Sequence, residues 1–211
     1  MAYDFNGTSQ YLSCTAPLAA PPLTFVCFAK NATFTARAFL SIGQTNASSR
    51  YQIQINANNN VILNCIWNNG SNSVLAETQA LNPAIAVNEW VHYGGVIESA
   101  SNRSIYARGI LQSNTTTTDS VATPFQTFTT GARVGPAAYA DSDIAEVGIW
   151  NVALTAAEIA SLAKVMTCDK VRPQSLVFYA PLVRDLTDQK GGLAITNNNG
   201  ATVANHPRIY P

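Results

Sequence analysis

Between residues 4 and 182 the chain is cut into short runs by Asn, Gly and Pro, at intervals of about 8 to 12 residues, the spacing an antiparallel sandwich imposes on its turns. The clearest run is 51–56, where Tyr51, Ile53 and Ile55 alternate with Gln52, Gln54 and Asn56. A period of two sends successive side chains to opposite sides of a strand, so this strand has an apolar face and a polar face expected to be wet. Asn58, Asn59 and Asn60 tolerate left-handed backbone angles and make a turn, beyond which "VILNCIW" at 61–67 returns as a hairpin partner. Asn68, Asn69 and Gly70 supply the next turn.

The other runs read the same way. "DFNGT" at 4–8 is a strand end with an Asn-Gly turn, and "YLSC" at 11–14 resumes beyond it. Residues 23–30 are apolar on both parities, as in a central strand covered on both faces. Residues 38–43 make a further strand, 89–98 and 103–111 a hairpin, and "ARVG" at 132–135 another strand after the Thr-rich loop at 115–118. "LVFYAPL" at 176–182 is a closing strand expected to pair near the N-terminal one. The expected fold is all-β, a two-sheet antiparallel sandwich. Residues 1–185 form its domain, and a loop-rich extension at 186–211 packs on it as a last hairpin or a contact arm.

One helix is expected, near residues 155–166. Thr155 can accept from the first turn while Glu158 reaches back, and Leu154 and Ile159 flank this capping box as a hydrophobic staple. Ile159, Leu162, Ala163 and Met166 line one face at helical spacing, so the helix lies on the sandwich.

Composition excludes several function classes. Charged residues make up 11%, and Lys plus Arg equal Asp plus Glu at 12 each, so nucleic acid and anionic lipid have no electrostatic footprint to bind. No run approaches the roughly 18 apolar residues of a membrane span. The stretch "MAYDFNGTSQ" lacks a secretion signal's basic and apolar regions, so the expectation is a protein made in the cytoplasm. Cys14, Cys27, Cys65 and Cys168 lack Cys-x-x-Cys spacing and read as reduced thiols.

Three segments carry a resemblance. "DFNGTSQYL", "EWVHYGGVIESASNRSIYARGIL" and "ARVGPAAYADSDIAEVGIWNVALTAAEIASL" resemble the concanavalin A-like, laminin-G-like jelly-roll family. The third is the most specific: a strand ending in an aromatic, here Trp150, then Asn-x-x-Leu-Thr-x-x-Glu-Ile over 151–159. The resemblance implies a jelly roll and, for many members, glycan or protein binding without catalysis. The chain looks like the versions found in tailed-bacteriophage virions, which implies a surface protein of the virion: a capsid decoration or head-fibre component, with host glycans and other virion proteins as partners. A stand-alone lectin-like module or tail adhesion protein is the alternative. Homo-oligomers are expected from virion symmetry and an uncharged surface.

Glycoside hydrolases of this fold carry Glu-x-Asp-x-x-Glu, and "DSDIAE" at 141–146 comes near it. Retaining chemistry needs two carboxyls about 5–5.5 Å apart. Asp141 is one methylene short, and in a regular strand its parity differs from that of Glu146, so only a bulge would bring Asp141, Asp143 and Glu146 together. No catalytic residue is assigned. Asp141 and Asp143, placed in a solvated loop, are candidates for calcium, although the family's usual aspartate after the isoleucine is Ala145 here. For a glycan, the candidates are aromatics on wet strands beside amides: Tyr51, Trp67 and Tyr139, with Asn68 and Asn69. Trp90, Trp150 and His92 are assigned to the core, His92 with its nitrogens satisfied.

Overall fold

The computed structural model describes residues 1–33, 35, 37–46, 48–56, 58, 60–67, 71–77, 84–183 and 185–208. Its strands are β1 (Ala2–Asn6), β2 (Tyr11–Thr15), β3 (Leu23–Asn31), β4 (Arg37–Gly43), β5 (Arg50–Ile55), β6 (Val61–Trp67), β7 (Asn72–Glu77), β8 (Trp90–Ser99), β9 (Asn102–Ala107), β10 (Ile110–Thr115), β11 (Thr127–Thr130), β12 (Asp141–Trp150), β13 (Leu176–Ala180), β14 (Thr196–Asn198) and β15 (Thr202–Ala204), with one helix, α1 (Ala156–Ala163). They form the expected two-sheet antiparallel jelly-roll sandwich. Sheet I runs β10-β9-β8-β3-β12-β1-β15, with β13 also on β12, and sheet II runs β14-β2-β11-β4-β5-β6-β7.

Alternating residues of both sheets fill the space between them, including Phe5, Phe25, Ile53 and Leu63. Aromatic pairs tie one sheet to the other: Phe39 stacks on Tyr93 at 4.9 Å and Phe128 meets Phe178 edge-on at 5.4 Å. A second cluster lies on the outer side of sheet I, where Ile159 and Leu162 of α1 cover Val26, Val96 and Trp150. Burying those two helix residues contributes about 1.5–3 kcal/mol each. The capping box is present, with Glu158 Oε2 accepting from the Thr155 N–H at 2.7 Å and Thr155 Oγ1 accepting from the Glu158 N–H at 3.3 Å. Met166 is not on the helix, which stops at Ala163; Val165 has a φ of 65° and Met166 is exposed.

Several expected strands differ. β1 and β2 are not one interrupted strand but belong to different sheets. The run 103–111 splits at Arg108 and Gly109, both with positive φ, into β9 and β10, because two left-handed residues close a tight hairpin. The strand near "ARVG" is β11, at 127–130, while 132–135 lies in the following turn. The closing strand β13 pairs with β12, not with β1. A bulge in β12 between Ala145 and Gly148, with Glu146 at φ 53°, explains this: the first half of β12 pairs with β1 and the second half with β13. Residues 196–204 are not an arm, since β14 extends sheet II and β15 extends sheet I. Trp150 is in the core as expected, but Trp90 is half-buried with Lys30 Nζ 5.6 Å from its ring. Among the described residues no helix is long and apolar enough to cross a membrane.

Candidate functional site

With α1 on sheet I, the outer side of sheet II carries a regular polar row whose centre, Ser41, Gln52 and Thr129, is buried. Directly paired residues of an antiparallel sheet share a face, and one register row crosses all of sheet II as Thr196, Ser13, Thr129, Ser41, Gln52, Asn64 and Leu75. Six uncharged hydrogen-bonding side chains stand side by side before the row ends in Leu75. Gln52 is the polar residue that the alternation in 51–56 assigns to this face, yet it is only 3% exposed. Its neighbours close over it: Arg50 Nε donates to Gln52 Oε1 at 2.8 Å, and Gln52 Nε2 donates to Gln54 Oε1. Thr129 Oγ1 donates to the Ala132 carbonyl at 2.7 Å, while Asn64 Oδ1 is buried with no donor among the described residues.

One register step along, Arg50 lies across from Gly43. A Cβ at Gly43 would stand 2.2 Å from the Ser49 carbonyl and 2.7 Å from Arg50 Cα, so only glycine admits this approach. Arg50 is buried, and burial, followed by the positive charge of Arg133, pushes its guanidinium down to about 10, which leaves it charged at neutral pH. Arg133 comes from the turn after β11, where its N–H donates to the Ala137 carbonyl at 3.1 Å. That turn also carries Tyr139, whose ring lies 6.2 Å from Tyr11, a neighbour of Asn198 on the same outer face.

The sequence candidates distribute unevenly over this geometry. Tyr139 is half-buried at the border of the polar row, its hydroxyl donating to the Pro136 carbonyl at 3.1 Å. Tyr51 is a correction: it points inward, 2% exposed, with its ring against Phe125 and its hydroxyl donating to Asp119 Oδ2 at 3.1 Å. Asp119 is held by Arg103 at 2.8 Å, so the inward Tyr51 serves a buried ion pair rather than a ligand. Trp67 shares the parity of the core residue Cys65 and faces away from the row. Asn68 and Asn69 lie outside the described residues. Sequence reasoning passes over Ser13, Ser41, Asn64, Thr129, Arg50 and Arg133; the alternation that marks Gln52 could have found Asn64, but the pairing of distant strands carries no local signal.

Asp141 and Asp143 lie in the central strand β12, not in a solvated loop. Asp143 forms an ion pair with Lys30 Nζ at 2.5 Å and stands opposite Asp4, whose carboxyl is raised by burial and by the Asp143 charge. Asp141 Oδ2 accepts from Thr33 Oγ1 at 2.8 Å. The donor set does not fit calcium: a lysine ammonium already neutralises Asp143, and among the described residues no group of three or more His, Cys, Asp or Glu could hold a metal. Glu146 sits at the bulge and is 4% exposed. Both its oxygens are engaged, Oε2 by the Tyr179 hydroxyl at 2.7 Å and Oε1 by His206 Nε2 at 3.1 Å. The four cysteines are free thiols.

A family model described as the Concanavalin A-like lectin/glucanases superfamily, Laminin_G_3, matches residues 6–160. No curated protein matches the chain in sequence. Among solved structures, a native heptameric SAP-like pentraxin from Limulus polyphemus is similar over 97% of this chain and 94% of its own, at 15% identity and a TM-score of 0.70. A protein of Bacteroides ovatus described as carbohydrate-binding is similar over 99% of this chain and 61% of its own, at 13% identity and a TM-score of 0.69. The CBM40 of a Ruminococcus gnavus IT-sialidase, bound to α2,3-sialyllactose, is similar over 77% of this chain and 98% of its own, at 14% identity and a TM-score of 0.57. At these identities the likeness is one of fold.

Proposed function

Because the chain belongs to the Laminin_G_3 family of the concanavalin A-like lectin/glucanases superfamily, we propose that it is a non-catalytic saccharide-binding module carried on the virion surface of a tailed bacteriophage, as a capsid decoration or head-fibre component. The observation that carries the binding half is the open end of the sheet II face, where the accessible Ser13, Thr196 and Asn198 lie beside the Tyr11–Tyr139 pair. Neutral donors and acceptors match sugar hydroxyls, and aromatic rings match the apolar C–H faces of a pyranose. The Bacteroides ovatus protein and the Ruminococcus gnavus CBM40, both saccharide binders by description, share this fold. Catalysis is left out because Glu146, Asp141 and Asp143 are engaged with Tyr179, His206, Thr33 and Lys30 rather than facing one another across a cleft.

The virion half rests on the likeness of an Ala-, Thr- and Asn-rich copy of this domain to the versions found in tailed-bacteriophage virions. Repeated copies suit it, and the Limulus pentraxin of the same fold is a heptamer. A stand-alone lectin-like module or a tail adhesion protein would use the same face. Two measurements test the reading. A glycan array probed with the whole chain is expected to give saturable binding to at least one saccharide class, and silence across it at high protein concentration overturns the binding half. Quantitative mass spectrometry of purified virions is expected to find the chain at a fixed copy number per particle; its absence overturns the virion half alone.

A further inference from the structure

Sheet I carries a groove of its own, walled by the entry to α1. Its floor is the outer side of β8, β9 and β10, where Val96, Ser104 and Asn114 pair in one register row across the three strands. Residues 153–156 form the wall, and the space between is about 330 Å³, at the lower end of the roughly 300–1,000 Å³ of small-molecule sites. The polar side chains of the floor hold one another. Asn102 Nδ2 donates to Glu98 Oε2, and Asn114 Nδ2 donates both to Asn102 Oδ1 at 2.8 Å and to Ser104 Oγ at 2.9 Å. Glu98 and Asn114 are exposed and Asn102 and Ser104 are half-buried, so all four can be reached from the groove. Among the described residues two acceptors, Glu98 Oε1 and Asn114 Oδ1, and two donors, the Ser104 hydroxyl and the second Asn102 N–H, have no protein partner. No lysine or arginine among the described residues lines the groove.

We propose that this groove is a second saccharide site, built for a neutral sugar. It goes beyond the sheet II reading and stands without it, since it lies on the opposite sheet and shares no residue with that face. The free groups choose the ligand. Donors and acceptors lie side by side on the floor, and a sugar hydroxyl is a group that both donates and accepts. A carboxylated or sulfated ligand would meet Glu98 as a like charge with no cation in the groove to offset it. An ammonium accepts nothing, so it would leave the Ser104 and Asn102 donors unmet. On the wall, the methyl groups of the half-buried Ala153 and the exposed Ala156 offer contact to the apolar C–H face of a pyranose ring. The hydrogen bonds among Glu98, Asn102, Ser104 and Asn114 fix these side chains before a ligand arrives, which lowers the ordering cost of binding.

The test is an amide NMR titration of the whole chain with lactose, cellobiose and mannobiose, each beside a uronic-acid counterpart. The expected result is a saturable shift of the amides of residues 102–104, 114 and 153–156 with at least one neutral disaccharide, and about threefold weaker binding of its uronate, the worth of one exposed like charge. Glu98→Gln is expected to erase that discrimination and keep the neutral sugar, which a merely structural role for Glu98 would not give. Asn114→Ala removes the middle of the ladder at an exposed position. It is expected to weaken binding about tenfold, with the unliganded spectrum unchanged away from the groove. Uronates bound as tightly as the neutral sugars overturn the proposal, and so does binding that Asn114→Ala leaves untouched. Shifts confined to residues 11–13 and 196–198 overturn the groove and leave the sheet II reading standing, whereas shifts at the groove alone support it and count against the sheet II site. No shift at the groove with any neutral sugar overturns it.

Discussion

His92 lies on the outer side of sheet I, opposite Phe28, 2% exposed, with the two rings 5.1 Å apart and, among the described residues, no partner on either ring nitrogen. It is core as the sequence suggests, but its nitrogens are not satisfied. Burial pushes its imidazole from the ordinary value of 6.5 down to about 3. Between those two pH values the unfolded chain holds a proton that the folded chain lacks, so folding stability rises with pH and is lost as pH falls below about 6.5. The slope approaches about 1.4 kcal/mol per pH unit. We expect the unmodified chain to lose about 2 kcal/mol more than His92→Leu on going from about pH 7 to about pH 5, a window chosen above most carboxylate titration. Urea unfolding at both pH values checks it, and parallel profiles for the two proteins would exclude the linkage. At this scale the sequence misleads where a side chain's partner is far away in the chain: Tyr51 looks like a ligand platform until Asp119 and Arg103 are brought behind it by folding.

Elements were legible where their cause is local. The helix announces itself because Thr155, Glu158, Leu154 and Ile159 act within one turn of each other, and all four do in the structure what their types suggest. The strand β7 and the break between β9 and β10 were not legible, because β7 reads as polar sequence after a turn and Arg108 adopts a left-handed conformation that its side chain does not advertise. Nor was the bulge in β12, since its Glu146 is bonded to Tyr179 and His206, from elements much later in the chain. The cap gives the prediction for this level. Thr155→Ala is expected to cost about 1 kcal/mol, while Thr155→Ser, which keeps the accepting oxygen, is expected to cost a few tenths. Glu158 keeps its bond to Arg172 in both, so the difference isolates the reciprocal cap. If amide exchange in α1 and the urea midpoint respond equally to Ser and Ala, the hydroxyl is not what starts this helix.

Across the whole molecule the two sheets are tied together at one end by the last described strands. β14 lies on β2 in sheet II and β15 lies on β1 in sheet I, so the segment 196–204 supplies an edge strand to each sheet in turn. Asn198 Nδ2 donates to Ser13 Oγ at 2.9 Å and Gln10 Nε2 donates to the Gly200 carbonyl at 2.9 Å, tying the crossing to the turn between β1 and β2. Just past β15, His206 fastens the chain to Glu146. Removing residues 196–211 would uncover both sheets along β1 and β2 at once, and bare strand edges pair with other chains. The truncated chain is therefore expected to lose at least about 2 kcal/mol, about 4–8 °C in Tm for a domain of this size, and to associate as its concentration rises. His206→Ala removes only one contact of the same segment, so it should shift Tm by less than the truncation and leave the chain's association state unchanged. Thermal melts and light scattering on the three proteins decide the matter. A truncated chain that melts with the full one, or stays monodisperse where the full one does, would mean that the two sheets hold together without this clasp and that the segment is free for another surface.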